Sequence, residues 1–313
     1  MKVLLIVCAV AAAAVYTAFV RALGRARKRL NGASRTIETS PGIVEYAQAG
    51  SGTPVLCIHG ASGGFDQALD VTGALTGAGY RLIAPSRFGY LRSAMPPHLS
   101  HALQADAYAE LLDGLAVDGT CVVGISAGAW SALTFALRYP RRCRALVLLV
   151  PANALPPGVA VHGGAITRAI LSSDFIAWCV LKLTPLFPGL LAEALLGTGS
   201  RLLRTAEASE RARVREILDH LLPVSRRIDG MSFDIRAAAK PEAIAFENIT
   251  CPVLAISAED DAFGTAARAR EIARAVPNGR AVVYPDGGHA LVGRQAEALR
   301  AVTQFLNDAL ARG

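Results

Sequence analysis

The chain has 313 residues, enough for one large α/β domain or two small ones, and its 52% hydrophobic content with few aromatics is that of a globular protein. The net charge of +7 invites a nucleic-acid partner, yet seven of the 32 Lys and Arg fall in residues 1–35, where no acid stands. The other 25 basic residues are matched by 25 acidic ones, so the body is neutral and no nucleic acid is expected as a partner.

Val3 to Val20 are apolar apart from Tyr16 and Thr17 and carry no charge. At about 1.5 Å per residue they would reach roughly 27 Å, close to a bilayer core. Arg21, Arg25, Arg27, Lys28 and Arg29 follow at once, whereas only Lys2 and the amino terminus precede. A cleavable signal peptide has the opposite charge order. The expectation is therefore a single-pass N-terminal membrane anchor through residues 3–20 with a cytoplasmic body, the alternative being export behind a signal peptide. Six cysteines, at 8, 57, 121, 143, 179 and 251, show neither C-x-x-C nor zinc-finger spacing and read as small buried hydrophobes.

Residues 30–40 read as a polar tether. Thr36–Thr39 and Gly42–Gln48, separated by Ser40-Pro41-Gly42, predict a hairpin. Pro54–Ile58 is a short, continuously apolar run of the kind buried on both faces of a parallel sheet. It ends in His59-Gly60-Ala61-Ser62-Gly63-Gly64. Phe65–Gly79 reads as a helix, Arg81–Ala84 as a strand and Pro85–Pro97 as a loop. Ser100–Ala116 is amphipathic, with Leu103, Ala107, Leu111 and Leu115 on one stripe. Thr120–Ile125 is a strand that runs into Gly124-Ile125-Ser126-Ala127-Gly128, and Ala129–Arg138 is a helix. Strand, sharp turn and helix is the setting in which G-x-S-x-G presents a serine nucleophile, and the strained turn needs small residues two positions either side. Read alone, the same stretch is equally a glycine-bounded loop with a helix-capping serine. Ala145–Val150 is one more apolar strand.

Strands alternating with helices in this way imply a doubly wound, mostly parallel sheet. The rhythm stops over Pro151–Asn248, which holds helical stretches at 166–183, 190–203 and 207–222. It resumes with a strand at Pro252–Ser257, a helix at 264–276, a strand at 280–284 and a helix at 291–311. The expected division is an anchor and basic flank at 1–30, a core at 31–150, a helical lid inserted at 151–248, and the rest of the core at 249–313.

A serine nucleophile needs a base, and the base an orienting acid. His289 follows Asp286-Gly287-Gly288 just after the last strand, at the sheet edge where sites of open parallel sheets form. His98 and His101 flank a helix start, His162 and His220 lie in the inserted block, and His59 belongs to the glycine-rich loop and reads as structural. Glu259, Asp260 and Asp261 follow the strand ending at Ser257 as candidates for the acid. Two backbone amides must face the developing oxyanion, and Ala127 and Ala61 are placed to supply them.

From about residue 42 to its end the chain resembles the α/β-hydrolase superfamily. The resemblance rests on His-Gly-x-x-Gly at 59–63, Arg-x-Gly-Tyr-x-x-Ser at 87–93, the Ser126 turn, the acid turn at 257–261 and Gly288-His289. It implies a Ser126, Asp261, His289 triad in the family's chain order and an oxyanion hole at Ala61 and Ala127. Ala258 stands where the family's acid turn has glycine, which keeps Asp260 beside Asp261 as a candidate. Pro151-Ala152-Asn153-Ala154 offers no carboxylate for the alternative acid position, and Ser126 excludes the aspartate-nucleophile branch.

The resulting expectation is a serine hydrolase cleaving a carboxylic ester or related acyl group through an acyl-enzyme, with no metal or organic cofactor. The anchor, together with Ile166, Ile170, Leu171, Phe175, Ile176, Leu181, Leu183, Leu186 and Phe187, points to a lipid-like substrate, unless these residues only pack lid on core. Relatives with the same triad hydrolyse carbon–carbon bonds or act as cofactor-free peroxidases, and a non-catalytic membrane-tethered binding protein is the rival of another class. Oligomeric state is not legible.

Overall fold

The structure, a computed structural model, describes residues 1–152, 172–183, 193 and 196–312. A single helix, α1 (Lys2–Leu30), runs through both the apolar stretch and the basic cluster, and it is long and apolar enough to cross a membrane by length and composition. Its far end does not stand free. Phe19, Ala26 and Leu30 are buried, and the Phe19 ring lies edge-on to Phe175 with ring centres 5.1 Å apart. Arg29 Nη1 reaches Asp66 Oδ2 at 2.5 Å, and Nη2 donates to the carbonyls of His220 and Leu222 at 3.2 and 3.3 Å. The expected boundary at residue 30 thus falls inside a docked region.

Beyond α1 the chain folds as β1 (Arg35–Ile37), β2 (Val44–Ala49), β3 (Thr53–Ile58), α2 (Phe65–Thr72) and β4 (Tyr80–Pro85). Then follow α3 (His101–Gly114), β5 (Thr120–Ile125), α4 (Gly128–Arg138) and β6 (Cys143–Leu149). The inserted segment contributes α5 (Asp174–Lys182), α6 (Ser200–Thr205), α7 (Ala208–Asp219) and α8 (Ile228–Ala239). Last come β7 (Val253–Ala258), α9 (Thr265–Ala275), β8 (Gly279–Tyr284) and α10 (Gln295–Leu310).

The eight strands form one sheet in the order β1-β2-β4-β3-β5-β6-β7-β8. The pair β1–β2 is antiparallel, as the hairpin reading expects, β2–β4 is antiparallel too, and all other pairs are parallel. The apolar runs are buried on both faces. Leu56 and Ile58 of β3 join Val122, Leu146 and Leu148 under α3, α4 and α9, while Val55 and Cys57 join Val123, Val147 and Ile256 under α2 and α10. This period-two alternation is what a continuous apolar strand means inside a two-sided layer.

Several expectations shift. The tether is held in place, since Ser34 donates to Glu45 Oε1 at 2.7 Å and Arg35–Ile37 is a strand. Phe65–Gly79 is not one helix: α2 stops at Thr72 and a 3-10 turn spans Gly73–Ala78, where two glycines weaken continuation. The last helix starts at 295 rather than 291, because Leu291 and Gly293 adopt left-handed backbone. The helix at 228–239 had no counterpart in the sequence reading.

All regular elements among the described residues of the inserted segment are helical or 3-10. Of its apolar residues named above, Ile166, Ile170, Leu171, Leu186 and Phe187 lie outside the described residues. Leu181 is buried against α1 and α7, whereas Phe175, Ile176 and Leu183 are exposed. Asp66 ties core, insert and α1 together: Arg227 Nη2 lies 2.8 Å from its Oδ2, beside Arg29. Burial pushes the Asp66 carboxyl up, but the Arg227 and Arg29 cations outweigh it and hold it below the ordinary carboxylate range.

Candidate active site

The β3 and β5 registers pair Ile58 with Gly124, so the chain leaving β3 and the chain leaving β5 emerge side by side at the carboxyl edge. Ser126 sits in that edge with φ 50°, the left-handed conformation that a non-glycine residue adopts only when its surroundings impose it. A Cβ at Gly128 would lie 2.4 Å from the His59 carbonyl oxygen, and one at Gly124 would lie 2.7 Å from Ala132 Cβ. Both glycines are therefore required by close approach, the physical content of G-x-S-x-G. The Ser126 amide donates to Leu149 O at 2.8 Å, which fixes the turn against β6.

The loop after β8 turns through Gly287 and Gly288, both with positive φ, and brings His289 across to the serine. His289 Nε2 lies 2.8 Å from Ser126 Oγ, and Nδ1 lies 2.8 Å from Asp261 Oδ2. A carboxylate only accepts, so Nδ1 carries the proton and Nε2 is free to accept from the serine hydroxyl. Asp261 is anchored in turn: Phe263 N donates to its Oδ1 at 2.8 Å, and Thr265 Oγ1 donates to Oδ2. Asp260 faces elsewhere and accepts from Gly288 N at 2.8 Å, while Glu259 forms an exposed ion pair with Arg270. Of the three adjacent acids, Asp261, the one that the resemblance implies, is the one beside His289.

Gly60 lies against Ser126, its hypothetical Cβ falling 3.0 Å from Ser126 Cβ, so the Gly60-Ala61 turn borders Ser126. Among the described residues neither the Ala61 nor the Ala127 amide donates to a backbone carbonyl outside helices and strands. Gln67 holds this turn, Oε1 accepting from Gly60 N at 2.9 Å. His59 keeps the structural part read for it, since Nε2 accepts from Arg87 N at 2.8 Å and Nδ1 lies 2.7 Å from Gly60 O. Burial, with the Arg87 charge adding to it, pushes His59 well below the ordinary histidine range and keeps it neutral.

Other residues escaped the sequence reading. Gln67 lies on a helix face with no motif around it, and Thr198, fully buried, accepts from Ala290 N at 3.1 Å from the inserted segment. Phe263 packs edge-on to His289 with ring centres 4.8 Å apart. The Arg87 motif has its meaning only in three dimensions: Arg87 pairs with Asp234 of α8, Nη1 to Oδ2 at 3.0 Å, and Tyr90 donates to the same carboxylate at 2.5 Å. That buried pair locks α8 over the edge of the sheet. Breaking one partner of such a pair typically costs about 3–5 kcal/mol.

A family model for the alpha/beta hydrolase fold matches residues 53–293. An uncharacterized hydrolase, YcgS, of Bacillus subtilis is 39% identical over 113 residues, 36% of this chain and 39% of that protein. A 2-hydroxy-6-oxo-6-phenylhexa-2,4-dienoate hydrolase of Comamonas testosteroni is 31% identical over 114 residues, 35% of this chain and 40% of its own length. The chain thus matches less than half the length of these curated relatives. Among solved structures, an alpha/beta hydrolase fold protein from Nakamurella multipartita superimposes with TM-score 0.70 at 24% identity, covering 87% of this chain and 98% of that one, a likeness of fold.

Proposed function

We propose that this chain, which belongs to the alpha/beta hydrolase family, is a serine hydrolase that cleaves a carboxylic ester or related acyl substrate. The observation that carries this reading is the unbroken chain Asp261–His289–Ser126, with both links at 2.8 Å. Ser126 Oγ attacks the carbonyl carbon as its proton passes to His289 Nε2, and the imidazolium is held by Asp261. The carbonyl oxygen becomes an oxyanion facing the Ala61 and Ala127 amides. Collapse re-forms the carbonyl and breaks the bond from its carbon to the alkoxy oxygen, which leaves with the proton from His289. Water, deprotonated by His289, then releases the acid and restores Ser126.

A second reading, hydrolysis of a carbon–carbon bond by the same residues, is favoured by the match to the dienoate hydrolase. We further propose that α1 anchors the protein in a membrane through residues 3–20 with the body cytoplasmic. The basic residues that follow the apolar run support this, and a lipid-like ester fits such a placement. Labelling with a fluorophosphonate tests the nucleophile: wild type labels and Ser126→Ala does not, and equal labelling sinks the hydrolase reading. A series of p-nitrophenyl esters of rising chain length tests the bond, and flat inactivity across a labelled enzyme favours the carbon–carbon reading.

A further inference from the structure

Next to the elbow lies a small cavity bounded by Ala127 and Ala152 at the Ser126 end, by His101 and Trp130, and by Ala237 of α8. His101 and Trp130 are 2% and 6% exposed, with ring centres 5.8 Å apart. Both nitrogens of His101, and Trp130 Nε1, are buried with no hydrogen-bond partner among the described residues. Native proteins rarely leave such groups unpaired, because each costs about 1–3 kcal/mol. The two side chains that carry these orphans line the same cavity, which reaches the Ser126 turn through Ala127.

The wall has a defined chemistry. Burial first, and the Arg87 charge second, push His101 down to about 3, so the ring is neutral and offers one donor and one acceptor. Trp130 Nε1 only donates. Asp234 also lines the cavity, but its charge is taken up by Arg87, so no spare cation among the described lining residues is available to hold an anion. Ala237 and Ala238 complete the lining with small side chains.

We propose that this cavity is a recognition subsite for an uncharged group of the substrate that both accepts and donates hydrogen bonds, of the carboxamide or hydroxyl kind, carried close to the scissile bond. The Trp130 N–H would meet its oxygen, and one His101 nitrogen its N–H or O–H. The assignment rests on Ser126 as nucleophile and narrows its substrate class toward an acyl compound that carries a compact polar group beside the scissile bond.

The test measures the rate of Ser126 phosphonylation in the full-length, detergent-solubilised chain by three phosphonate probes of matched length, ending in methyl, carboxamide and carboxylate. The expected order puts the carboxamide ahead of both others by roughly tenfold to a hundredfold, the range two ordinary hydrogen bonds supply. In Trp130→Phe and His101→Phe the carboxamide-to-methyl ratio falls toward one. Rates in wild type that ignore the terminal group overturn the subsite and identify a cavity filled by structural water, while leaving the serine reading intact. A carboxylate-first order overturns it too, and no labelling by any probe overturns the serine reading and the subsite with it.

Discussion

Asp261 Oδ2 lies 2.8 Å from His289 Nδ1, whereas the neighbouring Asp260 turns away and accepts from Gly288 N. One carboxylate orients the base and the other pins the loop that carries it. Asp261→Asn should therefore lower kcat by about ten-thousandfold, because the amide no longer enforces the tautomer. Asp260→Ala removes the acceptor of that one hydrogen bond, about 1 kcal/mol, and should cost roughly fivefold. Turnover of the best p-nitrophenyl ester by the two variants checks this, and equal losses would reject the assignment.

Gln67 hydrogen-bonds neither Ser126 nor His289, yet its Oε1 holds Gly60 N at 2.9 Å. Gln67→Leu frees the turn that presents Ala61. The expected outcome is a loss in kcat of about tenfold to a hundredfold with KM little changed, somewhat less than deleting an oxyanion donor outright. A loss carried by KM alone would mean that Gln67 serves binding instead.

The glycines divide into those that close approach requires and those it does not. At Gly128 a Cβ would lie 2.4 Å from His59 O and 2.7 Å from Ile58 O, both backbone atoms that cannot yield. Gly128→Ala should destabilise the fold by about 3 kcal/mol. Gly73 has φ −53° and nothing within 4 Å of its hypothetical Cβ, so Gly73→Ala should be neutral or stabilising by about 0.5 kcal/mol. Urea unfolding of the two variants gives the contrast directly.

Removing residues 1–18 should release the body from membranes and leave its Tm unchanged, since the docked part of α1 begins at Phe19. Removing residues 1–30 also takes away Arg29 and its bond to Asp66, and should lower Tm by a further 5 °C or so, roughly 2 kcal/mol. Continued pelleting of the shorter truncation with membranes would point to Phe175, Ile176 and Leu183 as a second lipid contact.

Stability should fall as the solution is acidified below the ordinary histidine value of 6.5, because unfolding then takes up a proton at His101, whose folded value lies at about 3. The contribution is complete above 6.5 and is lost progressively as pH drops toward 3, with His59 acting in the same sense. One such proton is worth about 1.4 kcal/mol per pH unit. His101→Gln should flatten the pH dependence of the unfolding free energy by that amount between pH 6 and 4, as measured by urea titration; an unchanged slope would mean that His101 is already protonated in the folded state.

The sequence reached far for this chain because its strands are buried on both faces. Val55–Ile58, Val122–Ile125 and Leu146–Leu149 are apolar without interruption, so the parallel core and its edge were legible without any contact being known. Gly124, Ser126 and Gly128 were legible for a local reason, since a tight strand-to-helix turn must be built from small residues wherever it occurs. His289 and the acidic turn followed from their position at strand ends.

What remained hidden depended on residues distant in sequence. Asp260 and Asp261 are chemically alike and adjacent, and only the path of the Gly287-Gly288 turn decides which one meets the imidazole. Arg87 and Asp234 lie 147 positions apart, and a charge in a helix carries no local sign of the partner it will bury. The same holds for α1, whose composition predicts an apolar helix but not that Phe19 and Arg29 dock on the body. Composition and periodicity determined the layers, the edge and the turn that holds Ser126, because those follow from local sterics and burial. The separation of Asp260 from Asp261, the clamp of Gln67 on the Gly60 turn and the polar cavity next to Ala127 were decided by tertiary structure, because hydrogen-bond partners are chosen by distance in space.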